Sequence, residues 1–151
     1  MTVNIFPNIW LGNINDRKNL FFLKTYNINI IIALTNNKIN DNYTQFETYI
    51  NNDYNIKNHE IDKEKINKDM INIYYDVTEF IYKYKNNKNI LIYCNDCNQL
   101  SPSIIVAYMI RYIKINPSLA IKYIKTKKNN IFLPNVFFIS SLEGFNKFLN
   151  N

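Results

Sequence analysis

Apolar residues fall in short blocks along the chain, and the spacing inside the blocks switches between a strand period and a helix period. Ile28-Asn-Ile-Ile-Ile-Ala-Leu34 is β-branched and almost wholly apolar, as a strand covered on both faces of a sheet must be. Ile90 to Tyr93 is another continuous apolar run and reads as a second buried strand. Ile56 to Ile61 is expected to make a further strand. The helix period is clearest after the charged loop 62–69, where Met70, Ile73, Tyr74, Val77, Phe80, Ile81 and Tyr84 recur at three- and four-residue steps on one face.

Weaker signals fill the rest. Residues 3–13 read as an extended segment and turn, with Gly12 expected at a positive φ. Asn15 or Asp16 is expected to cap a short helix carrying Leu20, Phe21 and Leu23. Residues 35–55 are polar and Asn-rich, and Phe46, Tyr49 and Ile50 suggest one short amphipathic helix there. Ile104, Tyr108, Met109 and Tyr112 give a later helix its buried face. Asn116-Pro117 is a good cap and first-turn pair for a helix carrying Leu119, Tyr123 and Ile124. A last helix is expected to start near Pro134 and to bury Phe138, Leu142, Phe145 and Leu149. Strands alternating with helices imply right-handed crossovers. The expected fold is therefore α/β, a central, mostly parallel sheet flanked by helices, in a single domain over residues 1–151.

Composition narrows the class. Hydrophobic content of 47% and aromatic content of 15% suit a folded globule despite the many asparagines. No run reaches the apolar length of a membrane span, and the N-terminus lacks a signal-peptide pattern, so a cytoplasmic protein is expected. Two cysteines three residues apart are no secreted disulfide framework. His59 is the only histidine, which leaves metal ligation and a Cys–His dyad without support and reads as a strand-edge or surface residue. No metal and no cofactor are expected. The net charge of +6 suits an acidic partner, whether phosphoprotein, RNA or anionic membrane surface, and equally suits simple solubility. Lys122, Lys125, Lys127 and Lys128 crowd one helix end; they complement its dipole or form an anion-steering patch.

The run Asn89-Ile-Leu-Ile-Tyr-Cys-Asn-Asp-Cys-Asn-Gln-Leu-Ser-Pro-Ser carries the candidate chemistry. A strand breaks at Cys94 into the polar loop Cys94, Asn95, Asp96, Cys97, Asn98, Gln99 and Leu100, and then into a helix opened by Ser101-Pro102. Such a turn aims backbone N–H groups and a helix dipole at one point, which suits a phosphate-like anion and favours a thiolate at Cys94. The stretch resembles the signature of the cysteine-dependent protein phosphatases, in particular the small dual-specificity branch. That signature runs His-Cys, five residues, Arg-Ser, with a glycine three positions after the cysteine. Residues 3–13 and Pro134-Asn135 also resemble the family's first strand and closing segment, so the resemblance covers nearly the whole chain.

The resemblance implies a protein tyrosine phosphatase-like fold, with Cys94 at the nucleophile position and Ser101 at the hydroxyl that helps the thiolate leave. It places the general acid at Glu64, or at Asp62 if the loop is two residues longer, although each reads first as an ordinary solvated loop carboxylate. Three signature positions are changed: Tyr93 stands for the histidine, Cys97 for the glycine and Leu100 for the arginine. Leucine can neither fork onto phosphate oxygens nor carry charge. An arginine gripping a transferring phosphoryl group is worth on the order of 10³–10⁵ in rate, about 4–7 kcal/mol. Cys97 also creates Cys94-x-x-Cys97 at a helix start, a weak redox-type signal whose reversible disulfide would lock the nucleophile. The expectation is a pseudophosphatase, a binding or regulatory module for a phosphorylated or acidic partner. The alternative is an atypical active phosphatase on phosphoprotein or RNA 5′-phosphate, with another group in the arginine's place.

Overall fold

The structure is a computed structural model that describes residues 2–50 and 63–151. Among these, β1 (Val3–Phe6), β2 (Ile9–Gly12), β3 (Ile30–Leu34), β4 (Glu47–Tyr49) and β5 (Ile90–Cys94) form one sheet in the order β1-β2-β5-β3-β4. Only β1 is antiparallel to its neighbour; the β2–β5, β5–β3 and β3–β4 pairs are parallel. The central strand is β5, whose Ile90 pairs with both Ile9 and Ile30 and whose Tyr93 pairs with both Gly12 and Ala33. The helices are α1 (Ile14–Lys18), α2 (Leu20–Thr25), α3 (Lys63–Tyr84), α4 (Leu100–Tyr108), α5 (Pro117–Lys127) and α6 (Ile139–Leu149). The end of α4 widens into a π turn, Met109–Ile113, which Lys114 closes in the left-handed conformation.

All five residues of β5 are buried. Successive strand side chains leave opposite faces. Ile90, Ile92 and Cys94 therefore enter the larger core with Tyr74, Ile104, Ile124, Leu142 and Phe145 from α3 to α6. Leu91 and Tyr93 enter the smaller core with Phe22, Leu23, Ile31 and Ala33. Helix α4 is buried at every position, because it runs through the middle of the helical layer. Helix α3 buries Met70, Tyr74, Val77 and Ile81, the face its spacing predicts.

Several local expectations need correction. Gly12 has no positive φ; a Cβ there would meet Asp16 Oδ2 at 2.8 Å, so glycine is required by close approach. The cap of α1 is Asn13, with Asp16 completing a capping box, and Asn19 caps α2. Within α2 the buried pair is Phe22 and Leu23, while Leu20 and Phe21 are exposed. The amphipathic helix expected around Phe46 to Ile50 is instead a single 3₁₀ turn, Thr44–Phe46, followed by β4. In α5 the buried residues are Pro117, Ala120 and Ile124, and Leu119 and Tyr123 face outward. The last helix starts at Ile139, because residues 132–137 are tied to the loop after β5 by hydrogen bonds that a helix would forbid. The strand expected at 56–61, and His59, lie outside the described residues.

Candidate functional site

The end of β5 delivers Cys94, and the start of α4 delivers Leu100 and Ser101. Between them the loop turns back sharply enough to put Cys97 at φ 54°. That is the left-handed region, open to glycine and costly for other residues. A side chain therefore occupies the backbone geometry of the expected glycine. Cys97 is nevertheless buried, and its side chain joins the larger core.

Cys94 and Ser101 are brought together: Sγ and Ser101 Oγ are 3.1 Å apart, and the Ser101 N–H donates to Sγ at 3.5 Å. Across from Ser101, the Cys94 thiol donates to Asp96 Oδ1 at 3.7 Å, and the Asn98 N–H donates to the same oxygen at 3.1 Å. Burial raises the Cys94 pKa, with the Asp96 charge adding to it, against the opposing bonds from Ser101 and the loop amides. Desolvation thus works against the thiolate bias expected from the turn. Burial pushes the Cys97 thiol up to about 12, helped by Cys94. Both cysteines are free thiols.

Leu100 is 8% exposed and packs in the larger core with Cys97 and Ile104. The chain contains two arginines, Arg17 and Arg111. Arg111 donates to the Tyr75 carbonyl at 2.7 Å and to Thr78 Oγ1 at 3.2 Å, both on α3. Arg17 is fully buried, forking onto Asp41 at 2.9 and 3.0 Å and onto Glu47 at 2.8 and 3.1 Å. Burial alone would lower its pKa, but the bonds to Asp41 and Glu47 win and hold it above the usual arginine range. Neither guanidinium is available to the loop.

Tyr93, at the signature histidine position, faces away from Cys94 because the two are strand neighbours. Its hydroxyl donates to Glu47 Oε2 at 2.6 Å, and burial followed by that carboxylate raises its pKa. Tyr49 donates to Glu47 Oε1 at 3.0 Å. Sequence reading missed this network of Tyr93, Glu47, Arg17 and Asp41. The alternation of β5 was the available signal for Tyr93; nothing in the sequence linked Arg17 to Glu47.

The loop's remaining polar groups hold the loop itself. Thr35 Oγ1 donates to Asn95 Oδ1 at 2.7 Å. Asn98 exchanges two side-chain bonds with the Leu133 backbone, and Gln99 reaches the Leu133 and Asn135 carbonyls and the Phe137 N–H. The loop expected over 62–69 is helical from Lys63, so Glu64 sits exposed in the first turn of α3 and not in a loop. Asp62 lies outside the described residues. Among the described residues, no group of three or more His, Cys, Asp or Glu could hold a metal ion.

A strand–loop–helix turn that buries a cysteine against a serine is the geometry of the phosphatase signature, and the comparison with known families agrees. The family model for the dual specificity phosphatase catalytic domain matches residues 9–148. The chain belongs to this family. A tyrosine-phosphatase-like protein, 123R, of Invertebrate iridescent virus 6 is 29% identical over 148 residues, covering 97% of this chain and 93% of that protein. Human dual specificity protein phosphatase 9 is also 29% identical over 148 residues, covering 97% of this chain but only 36% of that longer protein. The crystal structure of human DUSP28 superposes with a TM-score of 0.79 at 14% identity, over 99% of this chain and 95% of that one, which establishes the shared fold.

Proposed function

We propose that this protein is a pseudophosphatase, a dual-specificity phosphatase domain over residues 1–151 that binds a partner without turning over phosphate. The observation that supports it is Leu100, folded into the core where the signature arginine would grip the phosphoryl oxygens, with both of the chain's arginines committed elsewhere. Arginine holds ground state and transition state alike, so affinity falls together with rate. A buried, protonated Cys94 beside the Asp96 carboxylate compounds the loss, since attack on phosphorus needs a thiolate and an incoming phosphate needs a neutral or positive loop. The net charge of +6 points to a phosphorylated or acidic protein as partner, with RNA the other acidic candidate. Two free thiols suit a reducing, cytoplasmic setting. Among the described residues no helix is long and apolar enough to cross a membrane.

The alternative is supported by Lys128, whose charge acts on the Cys97 thiol. With Ser101 on Cys94 Sγ, that would make an atypical active phosphatase on phosphoprotein or RNA 5′-phosphate, in which Lys128 partly replaces the arginine. Orthovanadate, which adopts the five-coordinate geometry of phosphoryl transfer, separates the readings. The pseudophosphatase reading expects no saturable vanadate binding to the reduced protein in calorimetry. Tight saturable binding that Cys94→Ser and Lys128→Ala both remove would instead favour the enzyme.

A further inference from the structure

Charge is unevenly placed along this chain. Residues 97–142 contain six basic residues and no acid, while twelve bases and twelve acids cancel over the rest. The whole net charge of +6 therefore comes from the segment that forms α4, the π turn and α5.

Of that segment, Tyr108, Tyr112 and Ile113 line a groove at the end of the sheet opposite Cys94, whereas the charge of Lys128 acts on Cys97 at the other end. The groove lies where β2 and β5 begin at the paired residues Ile9 and Ile90, while Cys94 ends β5 roughly 13 Å further along the strand. Its volume is about 410 Å³, and its lining includes Phe6, Tyr82, Lys85, Tyr108, Tyr112 and Ile113. The Tyr82 and Tyr112 rings stack face to face at 4.1 Å, and the Arg111 guanidinium lies 5.0 Å from the Tyr112 ring. Phe6 stacks on Tyr123 at 6.1 Å. Tyr82 is 50% exposed and Ile113 43%. The π turn is what presents Tyr112 and Ile113 here, a local departure from α-helix of the kind frequent at functional sites. Lys85 lines the groove, and exposed Lys114 follows the lining residue Ile113 in the chain.

We propose that this groove docks an acidic peptide segment carrying a large apolar or aromatic anchor residue. The cavity is large enough for one or two such side chains, and clustered tyrosines beside an arginine are the composition of binding hot spots. Acidic residues flanking the anchor meet Lys85 in the lining and Arg111 and Lys114 beside it. A nucleic acid strand fits less well, because Pro7, Ile9 and Ile113 in the lining suit an apolar anchor side chain that a sugar-phosphate backbone does not carry. A membrane surface fits less well too, because the lining is a concave mixture of aromatic and polar groups, Asn8 and Asn86 among them, and not a continuous apolar face. The inference rests on the binding-module reading for the partner's acidic class and gives that partner a place distinct from the Cys94 loop.

The test is fluorescence anisotropy with a fluorescein-labelled 12-residue peptide of glutamates around a central Leu-Phe pair, at physiological salt. Saturable binding is expected, weakened about tenfold or more when Leu-Phe becomes Ser-Ser and again by Ile113→Asp or Lys114→Glu in the protein. Ile113 and Lys114 are both exposed, so these variants keep the core intact. Equal binding of the Ser-Ser peptide, insensitivity to both variants, absence of saturable binding, or tighter binding of a 12-nucleotide RNA or of anionic vesicles would each overturn the proposal. Phosphatase turnover is a separate readout, so loss of the groove and loss of the pseudophosphatase reading are distinguishable.

Discussion

A thiol at the mouth of a phosphate-type loop becomes a nucleophile only if its thiolate is better stabilised there than in water. At Cys94 the loop amides and Ser101 pull toward the thiolate, while burial and Asp96 push back harder. Ultraviolet thiolate absorbance, titrated on the native reduced protein, should therefore show no thiolate step below the ordinary range near pH 8.5. A step at pH 5–6, typical of reactive cysteines, would contradict this account. The sign for stability follows: both thiol pKa values are raised, so the protonated forms stabilise the fold at neutral pH. For Cys97 that contribution is lost between its ordinary 9.0 and about 12. Cys97 also tests the backbone. At an ordinary site alanine is better than glycine by roughly 0.5–1 kcal/mol, but φ 54° reverses the preference. Cys97→Gly should melt at a higher temperature than Cys97→Ala; the opposite order would mean that the left-handed turn is not strained.

Among the elements, α1 is fixed to β4 by one buried charge cluster. The Glu47 side chain is fully buried and holds Arg17, Tyr93 and Tyr49 at once. Arg17→Met leaves that carboxylate with hydroxyl partners alone and should cost about 3–5 kcal/mol in urea unfolding at pH 7. The penalty should shrink in acid. The Arg17 bond holds the Asp41 pKa below its ordinary 3.8, so the stability Asp41 adds is present above that value and lost as the pH falls through its lower folded value. A penalty unchanged at low pH would exclude a charge-based role. The strands β3 and β5 and the helix α3 from Met70 on were legible in the sequence, because burial on one or two faces writes its period directly; α5 was legible from its Asn116-Pro117 cap, while its buried face was misread. Short β4 was not, since three residues carry no period and its pairing with β3 is set from a distance. The start of α6 was misread because Pro134 opens helices readily, while here Gln99 holds the Asn135 carbonyl and Phe137 N–H outside the helix.

For the molecule as a whole, the sequence made the family visible through order and spacing, and the fold agrees over nearly all of the chain. The candidate site was legible wherever position alone decides: Cys94, Cys97, Leu100 and Ser101 come together where the signature spacing predicts. Energetics were not legible, because whether a helix dipole or burial governs Cys94 depends on packing that no local stretch encodes. The groove at the other end of the sheet was likewise hidden, being assembled from β1, α3 and the π turn. The central claim is that the scaffold persists without its phosphate grip, and aryl phosphate turnover under reducing conditions tests it most directly. Wild type and Cys94→Ser should give the same background rate, and Leu100→Arg alone should gain activity. Robust wild-type turnover that disappears with Cys94→Ser would contradict the account and show that another group does the arginine's work.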